Sequence, residues 1–233
     1  MFQEAITYPT ESDDWTKTVL IGGVLVLAGV LIVPTFLVYG YLVEVLRGRF
    51  AGEPTPPAFD DWRDLLIDGL QAWAVGVVYL LLPLIVGGIL VGGSVAALAT
   101  GSRAGGAVGI AGLLGGLGVT TLLSLVFGYV AIAGIINFAH EGTFGAAFDI
   151  GTLRTVCLDS DYAVAWLASV VVFFAAAAVS GVLNVVPILG AVASAFLFFY
   201  ASVAAAYLWA DGFQAALDTT GEFETGTPEG PAV

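Results

Sequence analysis

The sequence predicts an all-α, polytopic membrane bundle. Three observations carry that expectation: uncharged apolar runs long enough to cross a bilayer, acidic segments confined between them, and a stretch of text repeated after three of the runs. Of the 233 residues, 59% are hydrophobic and 11% charged. A soluble domain averages about 45–50% apolar and about 25% charged residues. One aqueous core of this size does not hide so much apolar surface, because a shell of residues must still face water.

The runs come in order. A helix needs about 20 apolar residues to span the hydrocarbon. The stretches 69–100 and 104–139 are uncharged up to Arg103 and Glu141, and 162–186 and 188–210 follow with Pro187 between them. Pro83 should kink its helix rather than end it, since neighbouring helices satisfy the freed carbonyl. The first run, 18–43, would be about 39 Å long as one straight helix, too long for one vertical pass and too short for two full ones. It is either one tilted helix or a hairpin of two short helices turning at Val33-Pro34.

Repetition favours the hairpin. Phe50-Ala-Gly-Glu-Pro-Thr-Pro-Pro-Ala-Phe-Asp60, Phe138-Ala-His-Glu-Gly-Thr-Phe-Gly-Ala-Ala-Phe-Asp149 and Trp209-Ala-Asp-Gly-Phe-Gln-Ala-Ala-Leu-Asp218 share an aromatic-Ala start and an Ala-(Phe/Leu)-Asp finish. Gly40-Tyr41 matches Gly128-Tyr129, and the segment from Phe2 to Trp15 resembles the linker from Phe148 to Tyr162. If residues 1–17 lie on the same side as the other linkers, an even number of passes separates Lys17 from Arg47. Six passes put Lys17, Arg47, Arg49, Arg63 and Arg154 on one side and Arg103 on the other, whereas five passes split them four to two. By the positive-inside rule both termini are then cytoplasmic, in the cell membrane. The expected organisation is a single transmembrane domain, 1–218, of repeat units near 1–50, 51–139 and 140–210. An acidic tail, 219–233, is expected to be disordered.

The linkers suggest surface helices. Phe59, Trp62, Leu65 and Leu66 share one helical face opposite Asp60, Asp61, Arg63 and Asp64, the pattern of a helix lying in the membrane interface. The stretch 146–158 is a weaker version of the same pattern. Such a helix either covers the end of the bundle or contacts lipid or a partner.

Charge excludes one class of function. Six Lys and Arg against 19 Asp and Glu give a formal charge of -13, so the basic patches that nucleic-acid binding needs are missing. Acidic, lysine-poor loops suit concentrated salt, where screening weakens self-repulsion. Taken together, Phe2-x-x-Ala5 to Tyr8-Pro9, Gly40-Tyr41 with Arg47 downstream, and Phe59-Asp60 with Trp62 through Asp68-Gly69 resemble a family of archaeal, mostly haloarchaeal, polytopic membrane proteins known as domain of unknown function 4013. The resemblance covers the chain except the tail after Asp218. It implies the architecture and a saline habitat, and supplies no mechanism.

Chemistry is sparse. Within the spans, ionisable groups mark functional sites because burying them in lipid is costly. Glu44 is the chief candidate, either as a cation or proton site or as a snorkelling partner of Arg47 at i,i+3. Asn137 and Asn184 are candidates for hydrogen bonds between helices, about 1 kcal/mol each. A lone His140 and a lone Cys157 make no metal set, and the paired acids lack the pattern of a calcium loop. Serines in the spans have no histidine to activate them, so no catalytic residue, cofactor or metal is expected and the chain is read as a non-enzyme. Gly105, Gly109, Gly112 and Gly116, with Gly88 and Gly92, offer smooth faces for close packing within the chain, between copies or against another membrane subunit. Two functions follow: a non-catalytic protein that organises lipid or serves as an accessory subunit, and a small transporter or channel using Glu44.

Overall fold

The computed structural model describes residues 2–225, with side chains through Thr219. Eight α-helices make up almost all of it: α1 (Phe2–Thr7), α2 (Trp15–Leu27), α3 (Val33–Phe50), α4 (Trp62–Ala99), α5 (Arg103–Glu141), α6 (Ile150–Leu158), α7 (Ser160–Leu183) and α8 (Pro187–Thr225). Single 3-10 turns at Tyr8–Thr10, Ala28–Leu31 and Phe144–Phe148 join them. The helix α4 takes Pro83 inside it without breaking, as the sequence led one to expect. Four helices are long and apolar enough to cross a membrane: α4, α5, α7 and α8 over Pro187–Thr219. A bent pair, Phe2–Thr10 with Trp15–Leu31 at 92°, raises the number to five at most among the described residues. That pair is an N-terminal bend that the sequence did not suggest.

The first apolar run does reverse. Gly22 of α2 lies against the ring of Phe199, and the ring of Tyr41 in α3 is 5.5 Å from the same phenylalanine. A straight helix would hold positions 22 and 41 about 28 Å apart, beyond the reach of one ring. The turn falls at Ile32, just before the expected Val33-Pro34. Ile32 has φ 65° and ψ −55°, a backbone state that β-branched residues rarely adopt. Pro34 then sits in the first turn of α3, where its missing N–H has no intrahelical partner to lose. Thr35 Oγ1 donates to the Gly29 carbonyl at 3.2 Å and closes the turn.

The repeated text folds three ways, for local reasons. In the first copy Gly52, at φ 76°, and three prolines end α3 at Phe50. In the second, α5 runs on to Glu141 and stops at Gly142, φ 69°. The third copy has no proline, and its Gly212 precedes Phe-Gln-Ala-Ala-Leu, so α8 continues through Asp218 to Thr225. The expected tail is therefore helical as far as Thr225, and 226–233 lie outside the described residues.

The two linkers also diverge. The second forms a separate short helix, α6, with Leu153 and Val156 buried and Ile150 and Leu158 exposed. Asp159 ends it and caps α7, its carboxylate accepting from Asp161 N at 2.7 Å. In the first linker no such break occurs, and the expected surface helix is the opening of α4 itself. Its supposed single face is split: Phe59 and Leu65 are buried, Trp62 and Leu66 exposed. Phe59 precedes the helix and stacks on Tyr41 at 4.2 Å, so tertiary packing overrides the helical period.

Two compact units result. One comprises the described residues up to Trp73 with those from Ala133 onward, and its largest buried side chains are Tyr8, Tyr41, Phe138, Tyr162, Phe199 and Phe213. The other, Ala74–Ile132, is a helical hairpin turning at Gly101, φ 64°. Glycines zip it. A Cβ on Gly109 would lie 2.5 Å from Leu98 Cγ, one on Gly112 2.5 Å from Ser94 Oγ, and one on Gly116 3.0 Å from Leu90 Cβ. Gly105, Gly109, Gly112 and Gly116 thus pack the hairpin internally. Gly88 and Gly92 face open space.

Candidate functional site

The densest polar chemistry lies where α3 meets the start of α4. Glu44, Arg47, Gly48 and Ala51 recur at i, i+3, i+4 and i+7, and so share one face at the C-terminal end of α3. Asp61, Asp64, Leu65 and Asp68 repeat that spacing at the start of α4. Two glycines set the approach: a Cβ on Gly40 would strike the Leu65 carbonyl, and one on Gly69 the Phe36 carbonyl. The backbones touch there and part toward the acidic ends. Between them, closed by Glu53 and Pro57 of the linker, is a cavity of 420 Å³. Tyr41 pins the linker by donating its hydroxyl to the Pro57 carbonyl at 3.1 Å.

Five carboxylates line this cavity with one guanidinium. Arg47 is fully engaged by Asp68: Nη1 bonds Oδ2 and Nη2 bonds Oδ1 at 3.1 Å. The i,i+3 pairing of Glu44 with Arg47 that the sequence suggested is not formed, because a carboxylate on the next helix offers the bidentate geometry guanidinium prefers. Glu44 Oε2 is instead buried without a hydrogen-bond partner. The lining thus carries more carboxylates than cationic groups. Among the described residues no three His, Cys, Asp or Glu side chains converge as a metal site would require.

A second polar cluster is structural. Arg49 Nη2 donates to Asp211 Oδ1 at 2.9 Å, and its guanidinium lies 4.0 Å from the Tyr207 ring centre and 5.5 Å from that of Tyr8. It therefore joins the N-terminal segment, α3 and α8. Nearby, Phe50, His140 and Phe213 bring the ends of α3 and α5 against α8, with ring centres 4.9–5.9 Å apart.

The remaining candidates disperse. Asn137 is buried and donates to the Ala146 carbonyl at 2.8 Å, fixing the turn after α5 rather than a neighbouring span. Asn184 does join two helices, donating to the Ser180 carbonyl of α7 and to Ser194 Oγ of α8 at 3.2 Å. Ser169 accepts from Trp209 Nε1 at 2.8 Å, so a serine of the α7 span serves as an anchor for an aromatic residue of α8. Sequence reasoning missed Asp64, Asp68 and Glu53 as companions of Glu44. For the two aspartates, the i, i+3, i+7 spacing of Asp61, Asp64 and Asp68 was the available clue.

Long apolar helices, a glycine-zipped hairpin and a polar notch at helix ends define a multi-pass helical membrane protein. The chain belongs to the family described as protein of unknown function (DUF4013), whose model matches residues 23–185. No curated protein and no solved structure matches it.

Proposed function

We propose that this is a non-catalytic membrane protein that organises lipid or serves as an accessory or scaffold subunit of a membrane complex. It would cross the bilayer six times as three hairpins with both termini cytoplasmic, in an organism adapted to salt. The observation that supports the reading is the exposed apolar surface of the α4–α5 hairpin. In their most apolar stretches only 17% of α4 and 22% of α5 is buried, against 39% of α8. Leu81, Ile85 and Ile89 are exposed, and Gly88 and Gly92 leave the backbone open beside them. Membrane helices associate through such small-residue faces, since hydrocarbon supplies no hydrophobic drive between them. The buried polar side chains among the described residues, Thr18, Ser94, Asn137, Ser169 and Ser180, include no acid and no base, and of Glu44 one carboxylate oxygen is buried.

Gentle extraction from the native membrane followed by native mass spectrometry tests this reading. A stoichiometric second membrane protein that Gly92→Leu releases is the expected result. A bare chain unaffected by that substitution would overturn the subunit half of the reading.

A second reading, binding and passage of a cation, is favoured by the orphaned Glu44 carboxylate on the acidic cavity. Glu44→Gln should then abolish ion flux into proteoliposomes while leaving insertion intact, and unchanged flux removes the idea.

A further inference from the structure

The N-terminal segment covers part of an apolar groove. Its walls are the middle turns of α7, Val171 to Val179, and of α8, Leu197 to Ala204, closed on one side by Phe2 and Ile6 of α1. The groove holds 300 Å³. Its floor is made of small side chains: Ala176, Ala201 and Ala204 are buried, whereas Phe2, Ile6, Val171 and Val179 stand exposed at the rim. The hydroxyl of Tyr200, the one polar side chain in the lining, is donated to the Ile6 carbonyl, which also fixes α1 in place. No charged side chain lines the groove.

Both walls belong to helices apolar enough to cross a membrane, Ser160–Leu183 and Pro187–Thr219. The lipid-facing sides of spans this apolar meet hydrocarbon, which cannot solvate a polar ligand. An apolar recess with a floor of methyl groups and no free hydrogen-bonding atom suits an alkyl chain, through dispersion contacts alone. From this geometry we infer that the groove holds one hydrocarbon chain of a membrane lipid, with α1 as a strap along one side of it. The inference rests on the lipid-organising half of the proposed function and gives it a place.

The test is photolabelling of the full chain in phosphatidylcholine–phosphatidylglycerol vesicles. These are doped with a phosphatidylcholine carrying a diazirine midway along one acyl chain, and adducts are mapped by peptide mass spectrometry. Label should concentrate on 171–179 and 197–204 above the level on the open face of α4. Ala175→Phe, an exposed alanine on the groove, should lose that enrichment while labelling of α4 is unchanged. Val172→Phe provides a second filling variant, with gel filtration reporting the fold of each. Even labelling of all lipid-facing helices, or enrichment that survives both variants, overturns the inference. So does a Val179→Cys, Cys157→Ser chain that forms disulfide dimers in the membrane, since a second copy would then occupy the groove. Co-extraction of a partner is scored on the same samples, so loss of the groove lipid and loss of the subunit reading are separate results.

Discussion

Arg49 is the residue on which the first unit turns, and its replacement makes a quantitative test of the fold. The guanidinium and the Asp211 carboxylate are each 19% exposed and bonded at 2.9 Å, with two tyrosine rings against the cation. Removing one member of a fully buried ion pair costs about 3–5 kcal/mol, mainly by stranding the other charge. One-fifth exposure moderates that, so Arg49→Ala should destabilise the protein by about 2–4 kcal/mol. Arg49→Lys keeps the charge but loses the guanidinium contact over the Tyr207 ring, at about 1–2 kcal/mol. The double variant Arg49→Ala, Asp211→Asn removes both charges and should recover part of the loss, giving a coupling of about 1–3 kcal/mol. Unfolding equilibria in mixed micelles, followed by tryptophan fluorescence, supply the four corners of the cycle. A coupling below about 0.5 kcal/mol would mean that Arg49 and Asp211 do not meet, and the packing of α3 on α8 would have to be redrawn.

Three further outcomes are expected. Gly109→Leu should destabilise the α4–α5 hairpin by about 1–3 kcal/mol because its side chain meets Leu98 and the Ser94 carbonyl, whereas Gly92→Leu, with open space around it, should leave the isolated chain as stable or slightly more so. Both are readable by resistance to unfolding in SDS, and equal effects would refute the internal zipper. Ile32→Gly should stabilise by about 1 kcal/mol or more through relief of the left-handed backbone, since Ile32 is 65% exposed and little packing is lost; a clear loss of stability in the same assay would show the turn is placed wrongly. Burial raises the Cys157 thiol from 9.0 to about 11, which keeps it protonated at neutral pH. Its thiolate fraction at pH 8 is then about a hundredfold below that of an unperturbed thiol, so maleimide labelling should be slow and rise through the folded-state pKa near 11. Labelling that already levels off near pH 9 would contradict the burial.

What could be read from the sequence followed from local physics. Uncharged length located α4, α5, α7 and α8, because burying apolar surface in lipid is a property of the segment itself. Proline marked two breaks to within a residue or two, at Ile32 before Pro34 and at Pro187. Partner choice was not legible, since the contacts that decide it join distant parts of the chain. Arg49 meets Asp211 across most of the sequence, and Arg47 selects Asp68 over Glu44. Likewise the glycine motifs gave no hint of which faces the hairpin would consume: Gly109 and Gly112 pack inward, Gly88 and Gly92 do not.

The fate of Glu44 shows how the site arises from packing rather than from composition. On α3 alone, a glutamate three residues before an arginine is an ordinary helix-surface pair, stabilising by a few tenths of a kcal/mol. The Gly40–Leu65 and Gly69–Phe36 contacts bring α4 so close that Asp68 reaches the guanidinium first, and with two bonds. Glu44 is then left facing a cavity it shares with Glu53, Asp61 and Asp64. Enlarging either glycine should push the helices apart and release Arg47. Gly40→Leu is therefore expected to weaken the α3–α4 contact and disperse the acidic notch, although it lies outside the notch lining. The two residues without side chains are what make the charged ones a site.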